Sequence, residues 1–288
     1  MEENVKLNDI LILTIVYFFI EIIGGFYYNS LSLIADAAFM AINIAGQVIA
    51  IYVQYVSKKQ PDEDNPFGYE RAKVLSGLIN GMLVGFVLFY VLIETYHRLM
   101  KSSPIGTNMV LLIALFGFAV NGYGVLRLRN QTSDLNIKGA YIHLLTDLLG
   151  SVGVVISMIL VGITGIMQID AVAGLLIGLL SAYPTYFLIR DSIHILMEGA
   201  PVAIKKPDVE EYISHHFFGI RDIKGLRMWC ITPDKPIMAV RVRTDGHIYN
   251  RESIKGLKRG LKTKFGFVDV YIEVYESKEA FNSTELIG

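Results

Sequence analysis

Gly139-Ala140-Tyr141-Ile142-His143-Leu144-Leu145-Thr146-Asp147 opens an apolar segment that runs to about Leu160. His143 and Asp147 are four residues apart, so a helix carries both on one face, about one turn from each other. An ionisable side chain near the middle of a bilayer costs roughly 2.5–3.5 kcal/mol on insertion scales, so such residues are rare and usually functional. An imidazole nitrogen and a carboxylate oxygen at this spacing are half of a tetrahedral metal site and also a proton-exchanging pair. A hydrogen-bonded pair that fixes helix packing is the bland alternative, because polar side chains also hold membrane helices together.

The rest of the chain fits a membrane setting. It has 288 residues, 53% of them hydrophobic and 18% charged, with a mean hydropathy of +0.46. A net charge of −1 gives no clustered basic surface for nucleic acid. One cysteine, Cys230, excludes an intramolecular disulfide framework and a cysteine-rich zinc site. The first apolar run is long enough to span and lacks a small-residue cleavage site, so no cleavable signal peptide is expected. Neither a nucleophile–base arrangement nor a phosphate-cradling glycine loop occurs in the polar part, so an enzyme is not expected, and no cofactor is implied.

Six apolar stretches suffice to cross a bilayer, which takes about 20 helical residues: Ile10–Tyr27, Leu33–Val56, Val74–Tyr96, Met109–Leu126, Gly139–Ile163 and Ala171–Leu188. Charge sets the orientation. With both termini inside, the inner loops carry Lys6, Lys58, Lys59, Arg71, Lys73, Arg127, Arg129 and Lys138, against Arg98 and Lys101 outside. The expectation is a six-helix transmembrane domain over residues 1–202, both termini being cytoplasmic and the plasma (inner) membrane being the default location. A cytoplasmic C-terminal domain follows over 203–288. Its sequence reads as a helix at Asp208–Phe218, strands at Gly225–Ile231 and Met238–Arg243, a helix at Arg251–Phe265 with Asn250 as N-cap, and a strand at Val268–Tyr275. This small α/β (αββαβ, ferredoxin-like or metallochaperone-like) unit of about 80 residues is small for standing alone, and pairing with a second copy is expected.

Five strings in order resemble the cation diffusion facilitator (cation efflux) family of metal–proton antiporters. They are Glu21-Ile22-Ile23-Gly24-Gly25 with Ser30 through Ala37, then Asn65 through Ala72, Leu135 through Tyr141, Gly150 through Gly153, and Ser192 through Pro201. The resemblance implies divalent cation efflux coupled to protons, with a transport site that joins two second-helix ligands to the His143–Asp147 pair. The matching second-helix positions hold Phe39, which has no donor atom, and Asn43, which offers only an amide oxygen. Asp36, Asn43 and Gln47 share a helix face. Asp36 either supplies the missing charge after a small helix rotation or caps the helix start, where acids are favourable. The candidate metal ligands are therefore His143, Asp147, Asn43 and Asp36.

Two further family metal sites look stripped. Asn65 and Tyr69 stand at loop positions where some members carry histidine, beside the acidic run Asp62, Glu63, Asp64. Lys224, Arg227 and Arg241 replace histidines in the cytoplasmic domain, and cationic side chains do not ligate a cation. The adjacent His215 and His216 point about 100° apart on a helix, and His97, His194 and His247 have no partner in sequence. Glu21, Asn80, Glu94 and Asn121 within spans are expected to join helices, and Glu94 can also draw cations toward the exit. With one nitrogen and mostly oxygen donors, the site is expected to favour Mn²⁺ or Fe²⁺ over Zn²⁺. The alternative is a non-transporting partner subunit of a heteromeric complex, with Phe39 plugging the cavity.

Overall fold

The computed structural model describes residues 2–129, 135–216, 220–244 and 251–275; the side chains of 2–11, 135–140, Arg221, Thr244 and Arg251 are not described. Asn250 and His247, singled out above, lie outside the described residues, as do the side chains of Lys6 and Lys138. Six long helices come first: α1 (Glu2–Tyr27), α2 (Leu31–Val56), α3 (Arg71–Met100), α4 (Thr107–Leu128), α5 (Leu135–Thr164) and α6 (Gln168–Leu196). Among the described residues, α2 to α6 each contain a segment long and apolar enough to cross a membrane, and α1 is apolar over the shorter Ile12–Tyr27. The helices extend past the apolar runs into polar flanks, because hydropathy marks the lipid-facing length and not the ends of backbone hydrogen bonding.

The chain forms two compact units. The first comprises residues 1–51 and 79–189, and the second comprises 52–78 and 190–288. In the first unit, Tyr17 of α1, Leu33 and Met40 of α2, Val110 and Ala114 of α4, Val154 and Met158 of α5 and Ile177 of α6 are buried in one cluster. Small residues let these helices approach: a Cβ added at Gly25 would lie 3.1 Å from the backbone nitrogen of Ile34. Asn29, at φ 57, makes the left-handed step between α1 and α2, which asparagine tolerates better than most side chains.

Asp170 ties the start of α6 to the start of α2. Its carboxylate accepts from the Ser30 hydroxyl at 2.7 Å, from the Ser32 hydroxyl and from the backbone nitrogens of Leu31 and Ser32. It thereby satisfies donors that the first turn of a helix leaves open. Arg98 Nη1 lies 3.9 Å from Asp170, and Arg98 also donates to Glu94 at 2.9 Å and to the Asn29 carbonyl at 2.6 Å. Glu94 is thus held by an arginine.

The second unit contains α7 (Lys206–His216), β1 (Ile220–Cys230), β2 (Pro236–Thr244), α8 (Arg251–Phe265) and β3 (Asp269–Tyr275). The sheet order is β1-β2-β3, with β1 antiparallel and β3 parallel to β2. Val209 and Ile213 of α7, Leu257 and Leu261 of α8, and Met238, Val240 and Val242 of β2 share one core. β1 starts five residues before the sequence expectation. Its pairing with β2 is irregular between Lys224 and Arg227, where Gly225 takes φ 60. A bulge accommodates that glycine inside a strand whose sequence reads as starting there. Gly266, at φ 74, ends α8 as a left-handed cap.

Within this same unit, Tyr69 Oη and the Asn65 backbone nitrogen both donate to Asp62, the latter at 2.7 Å. The tyrosine hydroxyl is the main reason the Asp62 carboxyl sits below its ordinary value, followed by the Asn65 amide. The acidic stretch at 62–64 is therefore part of a hydrogen-bonded turn at Asp62. Arg71 pairs with Glu198 at 3.2 Å, and Lys235 pairs closely with Glu70.

Candidate functional site

α5 carries the two residues that open the sequence argument. His143 Nε2 stands 3.4 Å from Asp147 Oδ2, with the histidine side chain 23% exposed and the aspartate side chain 5%. The approach is a close electrostatic contact, not an aligned hydrogen bond, since Asp147 Oδ2 has no hydrogen-bond partner. Burial therefore leaves one carboxylate oxygen without a donor, an arrangement that costs free energy unless something positive meets it.

Asp36 of α2 is also buried. Its carboxyl lies over the α5 backbone at Gly150, three residues beyond Asp147, so close that a Cβ there would stand 2.3 Å from Asp36 Oδ1. Asp36 and Asp147 interact as charges. Asp36 is thus turned inward against α5. Asp170 performs the capping.

Behind Asp36 sits Glu21 of α1, fully buried and close enough to the Asp36 carboxyl to act on it electrostatically. Tyr17 donates its hydroxyl to Glu21 Oε1 at 2.8 Å. Asn121 of α4 donates to Ser151 Oγ at 3.4 Å, next to Gly150 in α5. Asn121 thus joins α4 to α5 as expected, whereas the hydrogen bond of Glu21 to Tyr17 stays within α1. The signal available in sequence was Tyr17 and Glu21 at i,i+4 on an otherwise apolar helix.

The two family positions on α2 diverge. Phe39 is buried among Ala35, Ile42, Val84 and Val91, with Ala182 beside them, and its ring lies near Gly178 of α6. Asn43 is half-buried and makes no hydrogen bond among the described residues, and Gln47 is exposed. The α2 face that carries Asp36, Asn43 and Gln47 therefore opens gradually toward the C-terminal end of the helix. Among the described residues, no group of three or more His, Cys, Asp or Glu side chains is placed to hold a metal ion.

Three further histidines have local partners among the described residues. His194 Nε2 meets the Ala200 carbonyl at 2.8 Å. His216 stacks on Tyr212 with ring centroids 4.0 Å apart, and His215 lies 3.9 Å from Glu211 on an exposed helix end. In the sheet, Arg241 Nε donates to Glu273 at 2.8 Å.

Three acids and a histidine thus lie inward among apolar helices. The cation efflux transmembrane domain matches residues 9–197. The chain belongs to the cation efflux family. It is 33% identical over 270 residues to the cation efflux system protein CzcD of Alcaligenes sp. (strain CT14), covering 93% of this chain and 85% of that protein. It is 31% identical over 246 residues to the cadmium, cobalt and zinc/H(+)-K(+) antiporter of Bacillus subtilis (strain 168), covering 84% and 79%. Identity to the zinc transporter ZitB of Escherichia coli (strain K12) is 28% over 229 residues, covering 79% and 73%. As a cation efflux protein it is a multi-pass integral membrane transporter and not an enzyme.

Proposed function

We propose that this protein exports a divalent metal cation from the cytoplasm in exchange for protons, holding it between α2 and α5. The observation that supports this most is the buried His143–Asp147 pair with the Asp36 carboxyl on the facing helix. In this reading all six long helices span the plasma (inner) membrane, both termini are cytoplasmic, and the C-terminal domain pairs two copies of the chain.

His143, Asp147 and Asp36 bind the ion, and Asn43 lends an amide oxygen from the more open end of α2. Ligation needs neutral imidazole and ionised carboxylate, so metal arrival expels protons and proton arrival expels metal. A proton gradient then drives export as the helices alternate between inward- and outward-open forms. The names of the relatives point to zinc, cadmium and cobalt for those proteins. Here the replacement of two second-helix ligands by Phe39 and Asn43 leaves one nitrogen and several oxygens, a set that favours Mn²⁺ or Fe²⁺.

The test is flux of Mn²⁺, Fe²⁺ and Zn²⁺ into vesicles holding the purified protein under an imposed proton gradient. Manganese or iron is expected to move faster than zinc, and zinc moving far better removes the selectivity. A second reading, a non-transporting subunit of a heteromeric pair, draws on the lack of three preplaced ligand side chains among the described residues. It predicts no flux of any of the three ions by the chain alone.

A further inference from the structure

Two features of the polar interior have no place in a site made only from α2 and α5. First, Glu21 of α1 is fully buried and faces Asp36. Second, one oxygen on each of Glu21, Asp36 and Asp147 has no hydrogen-bond partner: Oε2, Oδ2 and Oδ2 respectively. The Asn121 side chain, also fully buried, leaves Oδ1 without a partner. A native interior normally satisfies such atoms, and four orphaned oxygens among interacting residues of α1, α2, α4 and α5 call for a common explanation.

The neighbours of Glu21 do not provide it. Tyr17 donates to Oε1 and leaves Oε2 open. No lysine or arginine among the described residues forms an ion pair with Glu21, Asp36 or Asp147, and the one basic side chain in contact is His143, at Asp147. Buried acids packed this way repel one another unless they are protonated or positive charge lies among them. Packing does not require Glu21 to be an acid, since a glutamine of the same shape accepts the Tyr17 hydroxyl equally well.

We infer that Glu21 is a direct ligand of the transported cation, so that α1, α2 and α5 each contribute a carboxylate to a predominantly oxygen site. Resting on the carrier reading above, this replaces the charge missing at Phe39 and Asn43. Because no three of these side chains are preplaced around one point, binding draws the carboxyl groups together by side-chain rotation. Such a site recognises hard divalent ions that take about six oxygen-rich ligands, and its affinity follows the number of charged ligands.

The experiment titrates Mn²⁺ into the detergent-purified full chain and follows loss of the free-ion electron paramagnetic resonance signal. Native protein is compared with Glu21→Gln, Glu21→Asp and Asp147→Asn, each first shown to elute and melt as the native chain does. Glu21→Gln is expected to weaken Mn²⁺ about tenfold or more, and Glu21→Asp to recover part of the loss, because charge count sets affinity. Glu21→Gln binding within twofold of native while Asp147→Asn fails overturns the inference and leaves the carrier reading intact. Equal binding by all three variants overturns both. Where Glu21→Gln does not fold, the native complex decides. With three carboxylates among about six ligands, it holds at most about three exchangeable waters. A count of five or six by pulsed resonance in ¹⁷O-water overturns the assignment.

Discussion

The Asp36 carboxyl rests on the α5 backbone at Gly150, where a Cβ would come within 2.3 Å of Oδ1 and 2.9 Å of Cγ. This approach sets the acid of α2 beside the Asp147 turn of α5. The missing side chain at position 150 therefore makes room for the Asp36 carboxyl, which in the carrier reading positions a ligand. Gly150→Ala tests it. In an unconstrained helix that change favours folding by about 1 kcal/mol, but here overpacking costs about 1–3 kcal/mol. The expected result is a lower melting temperature and at least a severalfold drop in cation flux, since Asp36 must turn away from α5.

His143→Ala and Asp147→Ala test the α5 pair in a metal-sensitive host. Neither side chain carries much of the apolar core, and His143 is partly exposed, so folded yield should stay close to native. Loss of a ligand should remove protection against the exported metal. Protection equal to that of the native chain in both variants would end the claim that this pair handles cargo.

How far the sequence reached depends on what each part encodes. The six apolar runs mark α1 to α6 because hydropathy and length act over about 20 residues and tolerate local detail. His143 and Asp147 share a face because helical spacing alone dictates it. The role of Asp36 was not decidable from spacing, since an acid near a helix start reads as a cap. Asp170, 134 positions away, accepts the donors at the start of α2. That Glu21 lies behind Asp36 was not legible either, because its neighbours come from other helices and only Tyr17 was visible locally. Phe39 shows the same limit: that it faces Val84 and Gly178 is a tertiary fact with no local signature.

Asp170→Asn addresses the tie between α2 and α6. The aspartate is fully buried, accepts from two serine hydroxyls and two backbone amides, and has Arg98 at 3.9 Å. An amide in its place directs N–H groups at donors and removes the buried charge facing Arg98, which keeps only Glu94. Removing one member of a buried, hydrogen-bonded charge pair costs about 3–5 kcal/mol. A sharp fall in folded yield and melting temperature in detergent is expected, with Ser32→Ala milder because three of the four donor contacts remain.

The sheet supplies a pH-dependent prediction. Glu273 is held below its ordinary value of 4.5, chiefly by the Tyr275 hydroxyl that it accepts and next by Arg241. A depressed carboxylate contributes stability that is full above the unfolded value and is lost as pH falls through the lower folded value. Glu273 is more than half exposed, so the contribution is only about 0.2–1 kcal/mol after solvent screening. Melting of the full chain with and without Glu273→Gln should differ by a degree or two at pH 7, and the gap should close as the pH falls below 4.5.

Phe39 separates a plug from a packing residue. A ring that blocks the cation path should leak when shortened, so Phe39→Leu and Phe39→Ala would raise flux over native. The ring instead fills a cluster with Ala35, Ile42, Val84 and Val91 and lies near Gly178. Truncation to alanine there opens a cavity and costs about 3–5 kcal/mol, whereas leucine keeps most of the volume. The expected outcome is native-like flux for Phe39→Leu, with a modest drop in melting temperature, and poor folded yield for Phe39→Ala. Flux per folded molecule should not rise in either. A severalfold increase in Mn²⁺ or Zn²⁺ flux by Phe39→Leu in vesicles would identify the ring as the barrier and favour the non-transporting reading of the native chain.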